Sequence, residues 1–89
     1  MIYERAAAKR LDALAAVPDE ALWDAIVDVL DYIDQQPEHA RTRAQSWESQ
    51  AGGRVYATPI LYELDPRWVA YWDVREGEPR MLGVGPVPR

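Results

Sequence analysis

Five residues in the second half of the chain, Arg54, Tyr56, Tyr71, Arg75 and Arg80, are of the types that hold phosphate and stack a nucleobase. A guanidinium fork matches phosphate oxygens two at a time, and a tyrosine ring offers a face to a base. The three arginines lie at or beside the ends of short runs rich in β-branched and aromatic residues, so they could converge on one face with Tyr56 or Tyr71 as a substrate-binding set. The plainer alternative is three solvated arginines beside core or rim aromatics. Phosphodiester cleavage would also need a group to activate the 2′-hydroxyl, a group to protonate the leaving oxygen, and cations for the developing charge. His39, the single histidine, follows the second helical pattern in Pro37-Glu38-His39-Ala40, where it is a general base only if a partner orients it and otherwise an exposed loop side chain. The catalytic residues stay unassigned.

A second constellation is acidic. Glu20, Asp24, Asp28, Asp31 and Asp34 recur at three- and four-residue spacing on one face of a helical pattern, with Asp24, Asp28 and Asp31 the candidates for binding a protein partner. Such carboxylates can hold Mg²⁺ or imitate a phosphate backbone, but Mg²⁺ favours convergent ligands plus a substrate phosphate, and a solvated helix face accounts for the same spacing. No metal site or cofactor is expected. Ser46 and Ser49 lack a nucleophile elbow, and Gly83-Val84-Gly85 precedes no helix, so neither a serine triad nor a dinucleotide fingerprint is present. Four tryptophans and five tyrosines with no phenylalanine suggest that Trp and Tyr fill the core, Trp47, Trp68 and Trp72 foremost.

Composition bounds the rest. A chain of 89 residues with 48% hydrophobic content forms one domain, 1–89, which would bury roughly 60–65% of its unfolded surface and gain from a partner or a homodimer. The absence of cysteine, of a signal peptide and of any long apolar run points to the cytoplasm and away from a membrane. The net charge of −5 is uneven: residues 1–38 hold nine acids against three cations, whereas residues 39–89 hold seven arginines against six acids. An acidic protein is a poor generic nucleic-acid binder. Nine of the ten cations are arginine, which suits bidentate contacts and equally follows from an Ala- and Arg-rich coding bias.

The elements that must position these residues read as helices and then strands. Ala7, Leu11 and Leu14 recur at helical spacing from about Glu4 to Ala16, and Pro18 stops that helix. Asp19 then caps a second helix that runs to Gln36, with Leu22, Ile26, Val29, Leu30 and Ile33 on one face and Pro37 as its end. Three strands follow over residues 54–60, 67–74 and 80–85, separated by turns at Ala51-Gly52-Gly53, Leu64-Asp65-Pro66 and Glu76-Gly77-Glu78-Pro79. In the second strand Trp68, Ala70, Trp72 and Val74 share one face, and Val69, Tyr71, Asp73 and Arg75 the other. Residues 42–49 permit an edge strand or an ordered loop, and Met1 to Tyr3 a very short first strand. The expected fold is α+β: a short N-terminal strand and an antiparallel helical hairpin packed on a three- to four-stranded antiparallel sheet.

In that arrangement the chain resembles the RelE/ParE toxin superfamily. The run Ile2-Tyr3-Glu4-Arg5-Ala6-Ala7-Ala8-Lys9-Arg10-Leu11-Asp12-Ala13-Leu14 looks like the family's first strand entering helix one. Trp68-Val69-Ala70-Tyr71-Trp72-Asp73-Val74, a Gly-containing turn and Met81-Leu82-Gly83-Val84-Gly85 look like its last two strands. The family's Tyr-Arg pair at the start of the penultimate strand is here Trp68-Val69, and its closing basic pair is here Pro86-Val87. The resemblance implies a toxin of a toxin–antitoxin pair that inhibits translation by ribosome-dependent, metal-free mRNA cleavage, or acts on DNA gyrase, and is neutralised by an antitoxin laid across helices and sheet. The departures argue against cleavage as the family practises it. The alternative is a non-catalytic protein-interaction module that keeps the fold.

Overall fold

The computed structural model describes residues 1–17, 19–50, 52–60 and 67–87. Along them run β1 (Ile2–Tyr3), α1 (Arg5–Ala15), α2 (Glu20–Gln35), α3 (Pro37–Arg43), β2 (Gln45–Glu48), β3 (Arg54–Ile60), β4 (Trp68–Arg75) and β5 (Glu78–Pro86). The expected stop at Pro18, the turn residue Ala51 and the turn at Leu64-Asp65-Pro66 lie outside the described residues.

Helix α1 buries Ala7, Leu11 and Leu14, the stripe that its spacing marks out. Helix α2 starts where Asp19 Oδ1 accepts the Leu22 N–H at 3.0 Å, satisfying one of the donors that a helix N-terminus leaves without an intrahelical partner. It buries Leu22, Ile26, Val29, Leu30 and Ile33 and ends at Gln35. Pro37 does more than end it. Proline lacks an N–H and holds φ near its helical value, which suits the first turn of a new helix, and α3 begins there. His39 therefore belongs to a helix and not to a loop.

The sheet has the order β1-β5-β4-β3-β2. Strands β2 to β5 form a four-stranded antiparallel meander, and β1 pairs with β5 in parallel, Ile2 opposite Arg80 and Tyr3 opposite Met81. The sheet is thus five-stranded and mixed, with an antiparallel body. Of the two readings of residues 42–49 the strand holds from Gln45 to Glu48, after α3 has taken up Thr42 and Arg43.

Pairing assigns each strand residue to a face. Tyr56, Trp72 and Met81 lie in register on one side, with Thr58, Ala70 and Val84 beside them. A bulge makes this possible: Tyr71 opposes Gly83 but Trp72 opposes Met81, so Leu82 is the extra residue that brings both Val84 and Met81 to the same face. Ala70, Trp72, Met81 and Val84 join the buried stripes of α1 and α2 and Ala40 of α3 in one core cluster. Helix α1 packs against β5, α2 against β3 and β4, and α3 against α2 and β3. All three helices therefore cover the same face.

Trp72 anchors that core. It is wholly buried, its ring lies 4.8 Å from that of Tyr56, and its indole Nε1–H donates to Thr58 Oγ1 at 2.9 Å. Trp68 is half-buried against the cluster, with the Arg10 guanidinium 5.7 Å from its ring centroid. Trp47 departs from the expectation of a core residue. It stands on edge strand β2, on the face that the helices leave open, and is 45% exposed. Its flanking residues, Gln45, Ser46 and Glu48, are all exposed as well.

Candidate binding surfaces of the sheet and helix α2

The five candidate substrate residues share one half of the sheet but not one face. Arg54 and Tyr56 pair with Glu48 and Ser46 on the helix-covered side, whereas Tyr71 and Arg80, which lie in register with Ala57 and Asp73, occupy the open side together with Arg75. Alternation along a strand enforces the split, since residues of opposite parity point to opposite faces. Arg54 Nη1 donates to Ser46 Oγ at 3.1 Å, and the Tyr56 ring lies against Trp72.

Arg80 is held by carboxylates. Its Nε donates to Asp73 Oδ1 at 2.9 Å and its Nη2 to Asp73 Oδ2 at 2.6 Å, while Nη1 donates to Glu4 Oε1 at 2.6 Å. Its side chain is only 17% exposed. The hydrogen bonds that Arg80 donates to Asp73 first, and then the nearby charges of Asp73 and Glu4, hold the guanidinium protonated beyond its ordinary range despite the opposing effect of desolvation. A phosphate at this position would have to displace two carboxylates. The cluster joins the start of α1 to β4 and β5, and the Glu4 N–H donation to the Met81 carbonyl at 2.9 Å fastens the same corner.

The open face carries an aromatic pair. Trp47 and Tyr71 meet edge to face with centroids 6.1 Å apart and an interplanar angle of 74°. Ala57, between them on β3, is buried. Beyond Tyr71 the face flattens at Gly83 and Gly85, where a side chain would meet no atom within 4 Å. Arg75 stands exposed at the end of β4, opposite Glu78.

The acidic candidates lie on the other side of the molecule. Asp24 and Asp28 line a groove of about 410 Å³ with Ala21, Ala25, Val29 and Tyr32, all on α2. Asp31 is exposed and lies outside this lining. Asp34, further along, is taken up by the α-amine of Met1 at 2.8 Å, which also lies 3.5 Å from Glu78. Val29 belongs to the core stripe of α2, and Ala25 and Tyr32 pack against the same core from its edge.

His39 is tied instead to helix α2. Its Nδ1 is hydrogen-bonded to the Tyr32 hydroxyl at 2.7 Å, the rings meeting edge to face at 5.7 Å. Thr42 Oγ1 donates to the His39 carbonyl, and Arg41 pairs with Glu38 on the same helix. Among the described residues no cluster of three or more His, Asp or Glu has a geometry able to hold a metal ion, and no helix is long and apolar enough to cross a membrane. Comparison with protein-family models, curated proteins and solved structures finds no match to the chain.

Proposed function

We propose that this chain is a RelE/ParE-like domain that acts by binding a protein partner rather than by cleaving RNA. The observation that carries this reading is the engagement of Arg80 by Asp73 and Glu4, which commits to the fold one of the candidate cations on the face of Tyr71. The separation of Arg54 and Tyr56 from Tyr71 and Arg75 onto opposite faces supports the same reading. The partner surface is the acidic side of α2, where Asp24, Asp28 and Asp31 are exposed. Charge reversal at these three positions should weaken capture of the partner from cells that express the tagged chain. Cleavage of mRNA in a translation reaction containing the purified protein would overturn the binding-only reading.

A specific observation favours a second reading, an active toxin. The open face presents Trp47 and Tyr71 to solvent with Arg75 nearby, a surface on which an RNA base can stack while a guanidinium holds its phosphate. The order of elements, a first strand and a run of helices (α1 to α3) followed by an antiparallel meander, supports this reading as well. If this reading holds, induction of the chain alone arrests growth, and Trp47→Ala with Arg75→Ala relieves the arrest. Unimpaired growth with abundant folded protein excludes it.

A further inference from the structure

We infer that edge strand β2 pairs antiparallel with β2 of a second copy of this chain, joining two five-stranded sheets edge to edge. Strand β2 ends the sheet and pairs only with β3. The Ser49 N–H donates to the Gly53 carbonyl at 2.6 Å, which makes residues 49 and 53 a hydrogen-bonded pair of the β2–β3 ladder. Alternation from that pair turns the backbone groups of Gln45 and Trp47 toward β3 and those of Ser46 and Glu48 outward. Two N–H and two C=O groups therefore line the rim. Natural sheet edges are commonly blunted by lysine, proline or a bulge. Strand β2 has none of these, and Gln45, Ser46, Trp47 and Glu48 are all exposed, so no helix covers either of its faces.

The side chains select a second copy over an unrelated strand. A twofold axis beside Trp47 sets Ser46 opposite Glu48 of the second copy, and Glu48 opposite its Ser46. The outward N–H and C=O groups of both residues are then paired in each copy. Arg54 already donates to Ser46 Oγ at 3.1 Å, so its guanidinium lies where the second copy's Glu48 arrives. Within one copy neither Arg54 nor Glu48 has a salt bridge among the described residues. The axis thus makes the same ion pair twice and sets no like charges directly opposite each other. On the open face Trp47 meets its counterpart in a non-hydrogen-bonded pair, where Cα atoms approach to about 4.5 Å and side chains touch. Each Trp47 ring already lies against Tyr71 of its own copy, so the two aromatic pairs become one row across the joint.

So short a strand covers less than the roughly 800 Å² per copy of a standard interface, which sets the dissociation constant on the order of 100 µM. Sedimentation velocity of the purified protein from about 10 µM to about 1 mM should show a monomer–dimer equilibrium. A dilution series of ¹⁵N spectra should show its largest shifts at the amides of Ser46 and Glu48 and at the Trp47 indole. Glu48→Arg and Arg54→Glu should each weaken association at least about tenfold by setting like charges together. An equimolar mixture of the two variants should restore it, because each arginine of the mixed dimer again faces a glutamate. Recovery in the mixture also shows that both variants fold; if one does not, the dilution spectra of the unsubstituted protein decide the matter. A monomer at millimolar concentration, shifts centred outside residues 45–48, association indifferent to either charge reversal, or a mixture of folded variants no more associated than its components would each overturn the inference. None of these readouts depends on what α2 binds.

Discussion

Asp73 and Arg80 face each other across β4 and β5 and are joined by two parallel hydrogen bonds of 2.9 and 2.6 Å. Two-point pairing fixes the guanidinium plane as well as its position, and Glu4 takes the remaining Nη1. Removing the cation would leave two carboxylates close together at a corner of the sheet. Arg80→Ala should therefore lower unfolding free energy by about 2 kcal/mol, and Arg80→Lys should recover only part of it because an ammonium lacks the fork. Chemical denaturation of the two variants measures both. If Arg80→Ala unfolds like the unsubstituted protein, the cluster is not structural and the arginine is free for another role.

The buried pair of Trp72 and Thr58 yields a second expectation. Thr58→Val preserves shape but leaves the indole N–H inside the core without its acceptor. A cost of roughly 1–3 kcal/mol follows from the desolvation of an unsatisfied donor. Thr58→Ser, which keeps the hydroxyl, should cost less, and tryptophan fluorescence during urea unfolding can follow both. Equal stabilities of Thr58→Val and the unsubstituted protein would remove that bond from the account of the core.

The α-amine of Met1 supplies a dependence on pH. Its hydrogen bond to Asp34 raises its pKa above the ordinary value of about 8, against a smaller opposing effect of desolvation. The folded state thus holds this proton more tightly than the unfolded state. Its stabilisation is complete below the unfolded pKa and is lost as pH rises through the folded one. Tyr3, raised by burial and then by the charges of Asp34 and Asp31, acts in the same direction at higher pH. The melting temperature should fall as pH rises above about 8. Asp34→Asn should flatten that fall, and an unchanged slope would show that the amine is not coupled to folding.

At the hairpin between β4 and β5 both central residues have positive φ, Glu76 at 52° and Gly77 at 78°. Such a two-residue turn follows the twist of its strands, but a glutamate reaches that conformation at some cost. Glu76→Asn should stabilise the protein by roughly 0.5–1 kcal/mol, since asparagine tolerates the left-handed region. A loss of stability would mean that the Glu76 side chain contributes more than its backbone costs.

Trp47 and Trp72 show why some positions could be read early and others not. Both stand in runs of alternating residues, and both are tryptophans in a chain without phenylalanine. Trp72 is enclosed because β4 is an inner strand beneath the helices, whereas Trp47 belongs to the edge strand and to the opposite face. The polar neighbours Gln45, Ser46 and Glu48 were the available hint that this strand lies at the rim.

The helical stripes, the cap at Asp19, the alternation of β4 and the α+β order were determined by the sequence itself, because each depends on residues within one or two turns or strand repeats. Only the tertiary structure decided where the arginines go. Arg80 meets Glu4 across 76 positions of chain, Arg54 and Arg75 are sent to opposite faces by strand parity, and the bulge at Leu82 decides which residues of β5 enter the core. Those outcomes depend on register between distant segments, and register is set by the energy of the whole packed sheet rather than by any run of residues within it.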